Sequence, residues 1–123
     1  MQAYWGNPAN KQRIMHLVHE EHQGFPTPQL PDGRNPNDLD YEDRLGIPLP
    51  IALVAEAVYL GAPAAYADTW PGRFFDTIEV NANLSAVVWQ VMERLMLLLP
   101  EPQRDWRILG EQLLALLARA PMS

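Results

Sequence analysis

Residues 83–120 read NLSAVVWQVMERLMLLLPEPQRDWRILGEQLLALLARA, and this stretch decides the fold. It holds two strongly apolar segments on either side of Pro100-Glu101-Pro102. Proline lacks the backbone N–H and clashes with the preceding helical turn, so one continuous helix cannot cross this point. We therefore predict a C-terminal αα-hairpin over 83–120, because a connection of two to four residues favours antiparallel neighbours.

The first helix of this pair, predicted from Leu84 to Leu99, has a very broad apolar face. At about 100° per residue, polar and small side chains occupy only about a third of its circumference. Such a helix must be covered from two directions. We expect it to be the central helix, packed by the last helix on one side and by the 50–61 helix or a second subunit on the other. Its apolar positions are Leu84, Val87, Val88, Trp89, Val91, Met92, Leu95, Met96, Leu98 and Leu99.

The last helix, predicted over about Gln103–Ala120, has an ordinary amphipathic stripe. Pro102 suits its first turn, and Pro121 stops further helix. Gly110 lies at the edge of the stripe, where the missing side chain allows a close backbone approach. The stripe residues are Trp106, Leu109, Leu113, Leu116 and Leu117.

The N-terminal part predicts one helix followed by an extended arm. Asn10 is placed to cap a helix that runs to about Gln23, and Gly24 suits its end. The proline-rich residues 24–49 fit neither a long helix nor a central strand, so we expect an arm that wraps the core. The expected anchors are Phe25, Leu30, Leu39, Tyr41 and Leu45.

The middle of the chain predicts two further helices. Residues 50–61 form a helix in which Leu53 and Leu60 lie almost opposite the main apolar face, so both sides are expected to be covered. Residues 62–67 are predicted as a loop of small residues. A short helix then begins at Asp68 or Thr69, with Pro71 in its first turn. In total, the sequence predicts one all-α domain over 1–123, a compact bundle of about five helices.

Composition excludes several functional classes. The chain has 123 residues, 48% of them hydrophobic, with a formal charge of −6 and a single lysine, Lys11. Because an acidic surface repels phosphate backbones, we expect no nucleic-acid partner. Apolar runs such as Leu95–Leu99 are far too short for a membrane span. The lack of cysteine and of a signal-peptide pattern favours a cytoplasmic protein.

One candidate metal site lies on the first helix, in the run His16-Leu17-Val18-His19-Glu20. Imidazole and carboxylate groups are good ligands for zinc, and helical spacing brings His16, His19 and Glu20 to one face. That face lies opposite the apolar stripe, so a solvated polar surface is the simpler interpretation. The order also differs from His-Glu-x-x-His.

The candidate partner-binding residues are acidic and aromatic. Asp38, Asp40, Glu42 and Asp43 form an acidic run that lacks the glycine and glutamate positions of a calcium loop. We interpret it as a solvated loop or as a docking surface for a basic partner. Tyr66 and Trp70 are the aromatic candidates, because such side chains anchor interfaces, although core packing is the alternative.

Glu56 is the one charged residue of an apolar helix, and Arg73 is its candidate partner. A buried carboxylate there would have a raised pKa and could exchange protons. The alternative is a side chain that faces outward, because Glu56 lies between Tyr59 and Leu60 on the helical wheel. The sequence otherwise lacks a Gly-rich phosphate loop and a nucleophile-elbow serine, since Ser85 and Ser123 are its two serines. We therefore predict no catalytic residue and no cofactor.

Within roughly 47–90 the chain contains Ile47-Pro48-Leu49, Trp70-Pro71-Gly72-Arg73-Phe74 and Asn83-Leu84. This block resembles a pattern in small uncharacterised bacterial helical proteins. In that pattern an Ile-Pro-Leu helix is followed by a Trp-Pro-x-Arg-Phe helix. The resemblance implies an all-α bacterial domain and assigns no activity.

The leading hypothesis is a non-enzymatic, acidic protein-interaction module, such as an inhibitor or an immunity-like protein. One alternative is a metal-binding protein or metal-dependent hydrolase that uses His16, His19 and Glu20. The other is a homo-oligomeric subunit, a homodimer in its simplest form, because the helix at Leu84–Leu99 is apolar on more sides than one neighbour covers.

Overall fold

A computed structural model describes residues 1–20, 24–29 and 39–123. These residues are predominantly helical, and their β-type pairings are the isolated bridges Pro28–Leu39 and Ala82–Met122. The all-α prediction is confirmed. None of the helices in the described ranges is long and apolar enough to cross a membrane. The helices are α1 (Pro8–Glu20), α2 (Leu49–Gly61), α3 (Ala64–Thr77), α4 (Val88–Leu98) and α5 (Trp106–Ala118).

Helix α2 contacts α3, α4 and α5, and α5 contacts α2, α3 and α4, so these two helices rather than α4 are central. The mainly apolar sequence of α2 suits this position, because a helix with neighbours on several sides needs apolar residues around most of its circumference. The expectation that both sides are covered is nevertheless wrong at Leu53 and Leu60, which are exposed. The buried residues of α2 are Ile51, Ala52, Val54, Ala55 and Val58.

Helix α1 begins earlier than predicted. The side-chain oxygen of Asn7 accepts a hydrogen bond from the Ala9 N–H at 3.0 Å, so Asn7 caps the helix rather than Asn10. Pro8 then occupies the first helical position, where its missing N–H costs nothing. The side chain of Asn10 instead donates to the Tyr4 carbonyl at 2.9 Å.

Helix α3 corrects the predicted loop over 62–67. The N–H groups of Tyr66 and Ala67 donate to the Pro63 carbonyl, so the helix starts in the alanine-rich segment, where helix propensity is high. Thr69 does not cap the helix, because its hydroxyl donates to the Tyr66 carbonyl at 3.2 Å. Pro71 therefore lies inside α3, where it cannot donate to the Ala67 carbonyl.

The C-terminal pair also differs from the prediction in its boundaries. Leu84–Val87 form a 3₁₀ turn before α4, so the helix predicted from Leu84 consists of two parts. Helix α5 begins at Trp106 rather than Gln103, because the Asp105 carboxylate accepts from the Arg107 N–H at 3.0 Å and caps it. The predicted packing of the two helices against each other is confirmed.

The core contains an aromatic cluster that joins the arm to the helices. Phe25 stacks on Tyr41, Tyr59 and Phe75, and it contacts Phe74 at a centroid distance of 5.7 Å. The predicted anchors Phe25, Tyr41 and Leu45 are buried and Leu39 is half-buried, whereas Leu30 lies outside the described residues.

Candidate functional site

The predicted metal ligands lie on the exposed surface of α1. His16 borders a hollow that also contains Arg13 and Arg44, whereas His19 borders a different cleft, between α1 and α3. Within residues 1–20, 24–29 and 39–123, no three histidine, aspartate or glutamate side chains are grouped closely enough to hold a metal ion. His22 lies outside these ranges, and the metal site stays a prediction.

The predicted acidic run has a local structural role. Asp40 accepts a hydrogen bond from the Asp43 N–H at 2.9 Å and thereby caps the single π-helical turn Tyr41–Leu45. The Asp43 carbonyl accepts from the Trp5 indole N–H, also at 2.9 Å. Glu42 and Asp43 lie in the first turn, where acidic side chains are favoured by the helix dipole. Asp38 lies outside the described residues.

Trp70 is a core residue, which corrects its prediction as a surface anchor. Its side chain is fully buried, and its indole N–H donates to the Ala55 carbonyl of α2 at 2.9 Å. The ring packs against Tyr66 and Phe74. Because Trp70 lies one turn before Phe74 on α3, both rings face the interior.

Tyr66, the other aromatic candidate, links α3 to α5. Its hydroxyl donates to the Glu111 carboxylate at 2.5 Å, and Arg73 donates to the other carboxylate oxygen at 2.8 Å. The Arg73 guanidinium also lies 5.6 Å from the Tyr66 ring centroid, within the range of a cation–π contact. Arg73 therefore pairs with Glu111, a pairing that the sequence did not suggest.

The polar network shifts the pKa values of its members. Burial and the hydrogen bond to Glu111 raise the pKa of Tyr66 to about 12. The hydrogen bonds from Arg73 and Tyr66 hold the pKa of Glu111 below its ordinary value. These groups form a surface connection between helices, because both Arg73 and Glu111 remain partly open to water.

We expect the stabilising contribution of Glu111 to be lost in acid. Its folded-state pKa is lowered, so the contribution is full above the unfolded pKa, near 4.5, and disappears as pH falls through the folded value. At neutral pH, Glu111→Gln should lower the free energy of unfolding by less than about 1 kcal/mol, because the pair is exposed. Urea unfolding at pH 7 and at pH 3 measures this difference.

Glu101→Gln is the matched control, since this exposed carboxylate lies outside the network. A difference between wild type and Glu111→Gln that stayed constant from neutral to acid pH would contradict the electrostatic account.

Close approach at Gly110 makes this network possible. A β-carbon on Gly110 would lie 2.4 Å from the Tyr66 hydroxyl and 3.1 Å from the Trp70 ring. The sequence-based prediction of a close backbone approach at this glycine is therefore confirmed. It brings α5 near enough to α3 for Glu111 to reach both Tyr66 and Arg73.

A cleft of about 560 Å³ lies beside the contact between α1 and α3. The His19 imidazole lies against Gly72, where a β-carbon would come within 2.4 Å of its ring. Asp68 and Arg73 also border the cleft. The Thr69 hydroxyl donates to the Tyr66 carbonyl of the helix backbone and is not paired with the imidazole. The groups that line the cleft can hydrogen-bond a small polar molecule.

Glu56 is half-buried and lies close enough to Tyr41 to affect its ionisation. Burial is the main cause that raises the pKa of Tyr41, and the negative charge of Glu56 adds to it. The Tyr41 hydroxyl donates to the Pro26 carbonyl, so it is a structural group of the arm. This arrangement anchors residues 24–29.

The largest departure from the expected surface is on α4. Its inner side packs on the protein through buried Val91 and the half-buried residues Val88, Leu95 and Leu98. Helix α4 contacts both predicted neighbours, α5 and α2, but they leave part of its apolar surface exposed. Its outer side carries Trp89, Met92, Glu93, Met96 and Leu97, which line a hollow of about 520 Å³; we call these five residues the outer stripe.

Exposure along the outer stripe is high for large apolar side chains. Trp89 is 83% exposed, Met96 67% and Leu97 61%. On the helical wheel the outer stripe continues from the inner residues through Met92, which lies about 40° from Val88 and also packs against the core. The apolar positions therefore form one broad face, of which only part is covered. The sequence indicated this broad face, including Trp89 and Met96, but not which part of it stays exposed.

Comparison with known proteins provides no functional assignment. The chain matches no protein-family model, no curated protein and no solved structure.

Proposed function

We propose that this chain is a non-catalytic protein-interaction module and that its contact surface is the outer stripe of α4. The observation that carries the proposal is the contiguous exposure of Trp89, Met96 and Leu97 around one hollow. Scattered exposed apolar residues are common on soluble proteins, whereas a contiguous apolar patch is typical of an interaction site. Tryptophan and methionine are also enriched at interfaces.

Energetics support a partner that covers more than the stripe. Burying a large apolar side chain contributes about 1.5–3 kcal/mol, so Trp89, Met96 and Leu97 supply roughly 5–9 kcal/mol. Association itself costs about 4–15 kcal/mol in lost freedom of motion. The stripe therefore provides a central anchor, and stable binding requires additional contacts around it, as at Leu99, which is also exposed.

The acidic arm is a weaker candidate for the contact surface. Asp40 and the Asp43 backbone are used within the π-helical turn and in its contact with Trp5. An inhibitor or immunity-like role is compatible with the proposal, with the acidic groups adding long-range attraction to a basic partner.

Photocrosslinking in the cells that make the protein tests the proposal. A benzophenone amino acid at Trp89 or at Met96 should give one discrete covalent adduct with a protein. The same group at Ala115, an exposed position of α5, is the control and should not give that adduct. Absence of an adduct at both α4 positions, or the same adducts from Ala115, would count against the outer stripe as a contact surface.

The open outer stripe also favours a second candidate, the homo-oligomeric subunit. A second copy that covered the stripe would give a crosslinked species of twice the chain mass. Sedimentation equilibrium at high concentration would then show a dimer that Met96→Ser dissociates. A monomer at all concentrations would remove this candidate.

A further inference from the structure

The outer stripe has the spacing that fits one partner helix. Trp89, Met92, Glu93 and Met96 follow the i, i+3, i+4, i+7 pattern of a single helix face. From Trp89 to Leu97 the stripe is about 12 Å long, which matches roughly two turns of a facing helix. Helix-in-groove recognition uses apolar anchors at the same spacing on the partner.

The side chains of the stripe are suited to a helix of variable sequence. Met92 and Met96 are unbranched and flexible, so they adapt to the shape of the side chains inserted between them. Trp89 provides a large, rigid apolar surface at one end of the stripe, which is typical of a binding anchor.

The charges in and around the outer stripe favour a partner that is positively charged where it contacts α4. Glu93 is the charged residue among those that line the hollow, and the whole chain has a formal charge of −6. Arg94 follows on the flank of the helix, and the Arg104 side chain donates to the Leu99 carbonyl beyond the stripe. The middle of the stripe is therefore acidic, and a basic partner residue complements it.

A second copy is a poorer occupant on the same grounds. Two antiparallel α4 helices that paired over Trp89–Leu97 would meet at its midpoint, which is Glu93. This places two carboxylates opposite each other on the symmetry axis of a two-fold interface. Each copy also adds a formal charge of −6, which opposes association.

We infer that the outer stripe binds one amphipathic helix of another protein, with a lysine or arginine of that helix against Glu93. This inference rests on the proposed function and adds the structure and charge of the partner.

Synthetic peptides provide the direct test. Three fluorescein-labelled peptides of about 18 residues are used, long enough for helix formation. The first has a leucine stripe with lysines on its other faces, the second replaces the lysines by glutamates, and the third shuffles the first. Fluorescence anisotropy with the full chain should show the first binding about tenfold more tightly than the other two, and more weakly as salt increases.

Variants of the full chain test whether the peptides bind at the outer stripe. Met96→Ser should weaken binding of the lysine peptide about fivefold or more, since it removes an apolar contact. Glu93→Lys should weaken the lysine peptide and strengthen the glutamate peptide. Leu60→Ser is the matched control, because Leu60 is an equally exposed apolar residue outside the hollow, and it should leave binding unchanged.

Each alternative outcome has a distinct meaning. Equal affinity for the lysine and glutamate peptides, or no effect of Met96→Ser, overturns the inference. A dimer that Met96→Ser dissociates assigns the stripe to a second copy, which overturns the inference but retains a protein-binding role for α4. A monomer that binds no peptide and gives no adduct from Trp89 or Met96 overturns both the inference and the proposed function.

Discussion

Trp70→Ala is expected to lower the free energy of unfolding by about 3–5 kcal/mol, the range for removal of a large buried aromatic side chain. The indole is fully buried between α2, α3 and α5, so its loss leaves a cavity. The variant also loses the hydrogen bond to the Ala55 carbonyl. Because small domains have a total stability of about 5–15 kcal/mol, this change should unfold a large share of the molecules under mild denaturant.

Urea unfolding monitored by far-ultraviolet circular dichroism measures the effect of Trp70→Ala. Trp89→Ala is the matched control, because the same side chain is removed from an exposed position, and its effect should stay within about 0.5 kcal/mol. Equal effects of the two substitutions would show that Trp70 is not the core residue described.

Gly46→Ala is expected to lower the free energy of unfolding by about 2–5 kcal/mol, as the sum of backbone strain and a steric clash. Gly46 has a φ of 62° at the end of the π-helical turn Tyr41–Leu45, a conformation that side chains disfavour. A β-carbon there would lie 2.0 Å from the Gln2 backbone carbonyl oxygen. The N-terminal segment therefore has to move away from the turn.

Gly6→Ala separates the two causes of the Gly46 effect. Gly6 has a similar φ of 67°, but a β-carbon there would meet its nearest atoms at 3.6 Å, an ordinary contact distance. Gly6→Ala should lower the free energy of unfolding by the backbone strain alone, about 1–2 kcal/mol. Thermal unfolding of both variants measures the difference, and a cost for Gly46→Ala no larger than that of Gly6→Ala would refute the clash with Gln2.

Local sequence signals predicted the helices well where a single stripe and clear end signals agree. The buried residues of α5 include Leu109, Leu113 and Leu117, as its spacing predicts. Gly110 was identified because a glycine inside an otherwise good helix suggests close packing. These features depend on residues three to four positions apart, so a local pattern contains the information.

Long-range contacts explain where the sequence-based interpretation was wrong. Pro71 indicated a helix start, but the burial of Pro71 and Trp70 against the core supports a helix that continues through the proline. Arg73 pairs with Glu111, which is 38 positions away and on another helix. No local pattern contains such a pairing.

The outer stripe of α4 also depends partly on local sequence and partly on long-range packing. The sequence alone determined that the Leu84–Leu99 segment is apolar over most of its circumference, because periodicity follows directly from the order of residues. Only the tertiary structure decided which part is covered: α4 contacts α2 and α5 and buries Val91, while Trp89 and Met96 face outward. The physical reason is that hydrophobic burial has no direction of its own, so the choice of buried side depends on how the other helices pack.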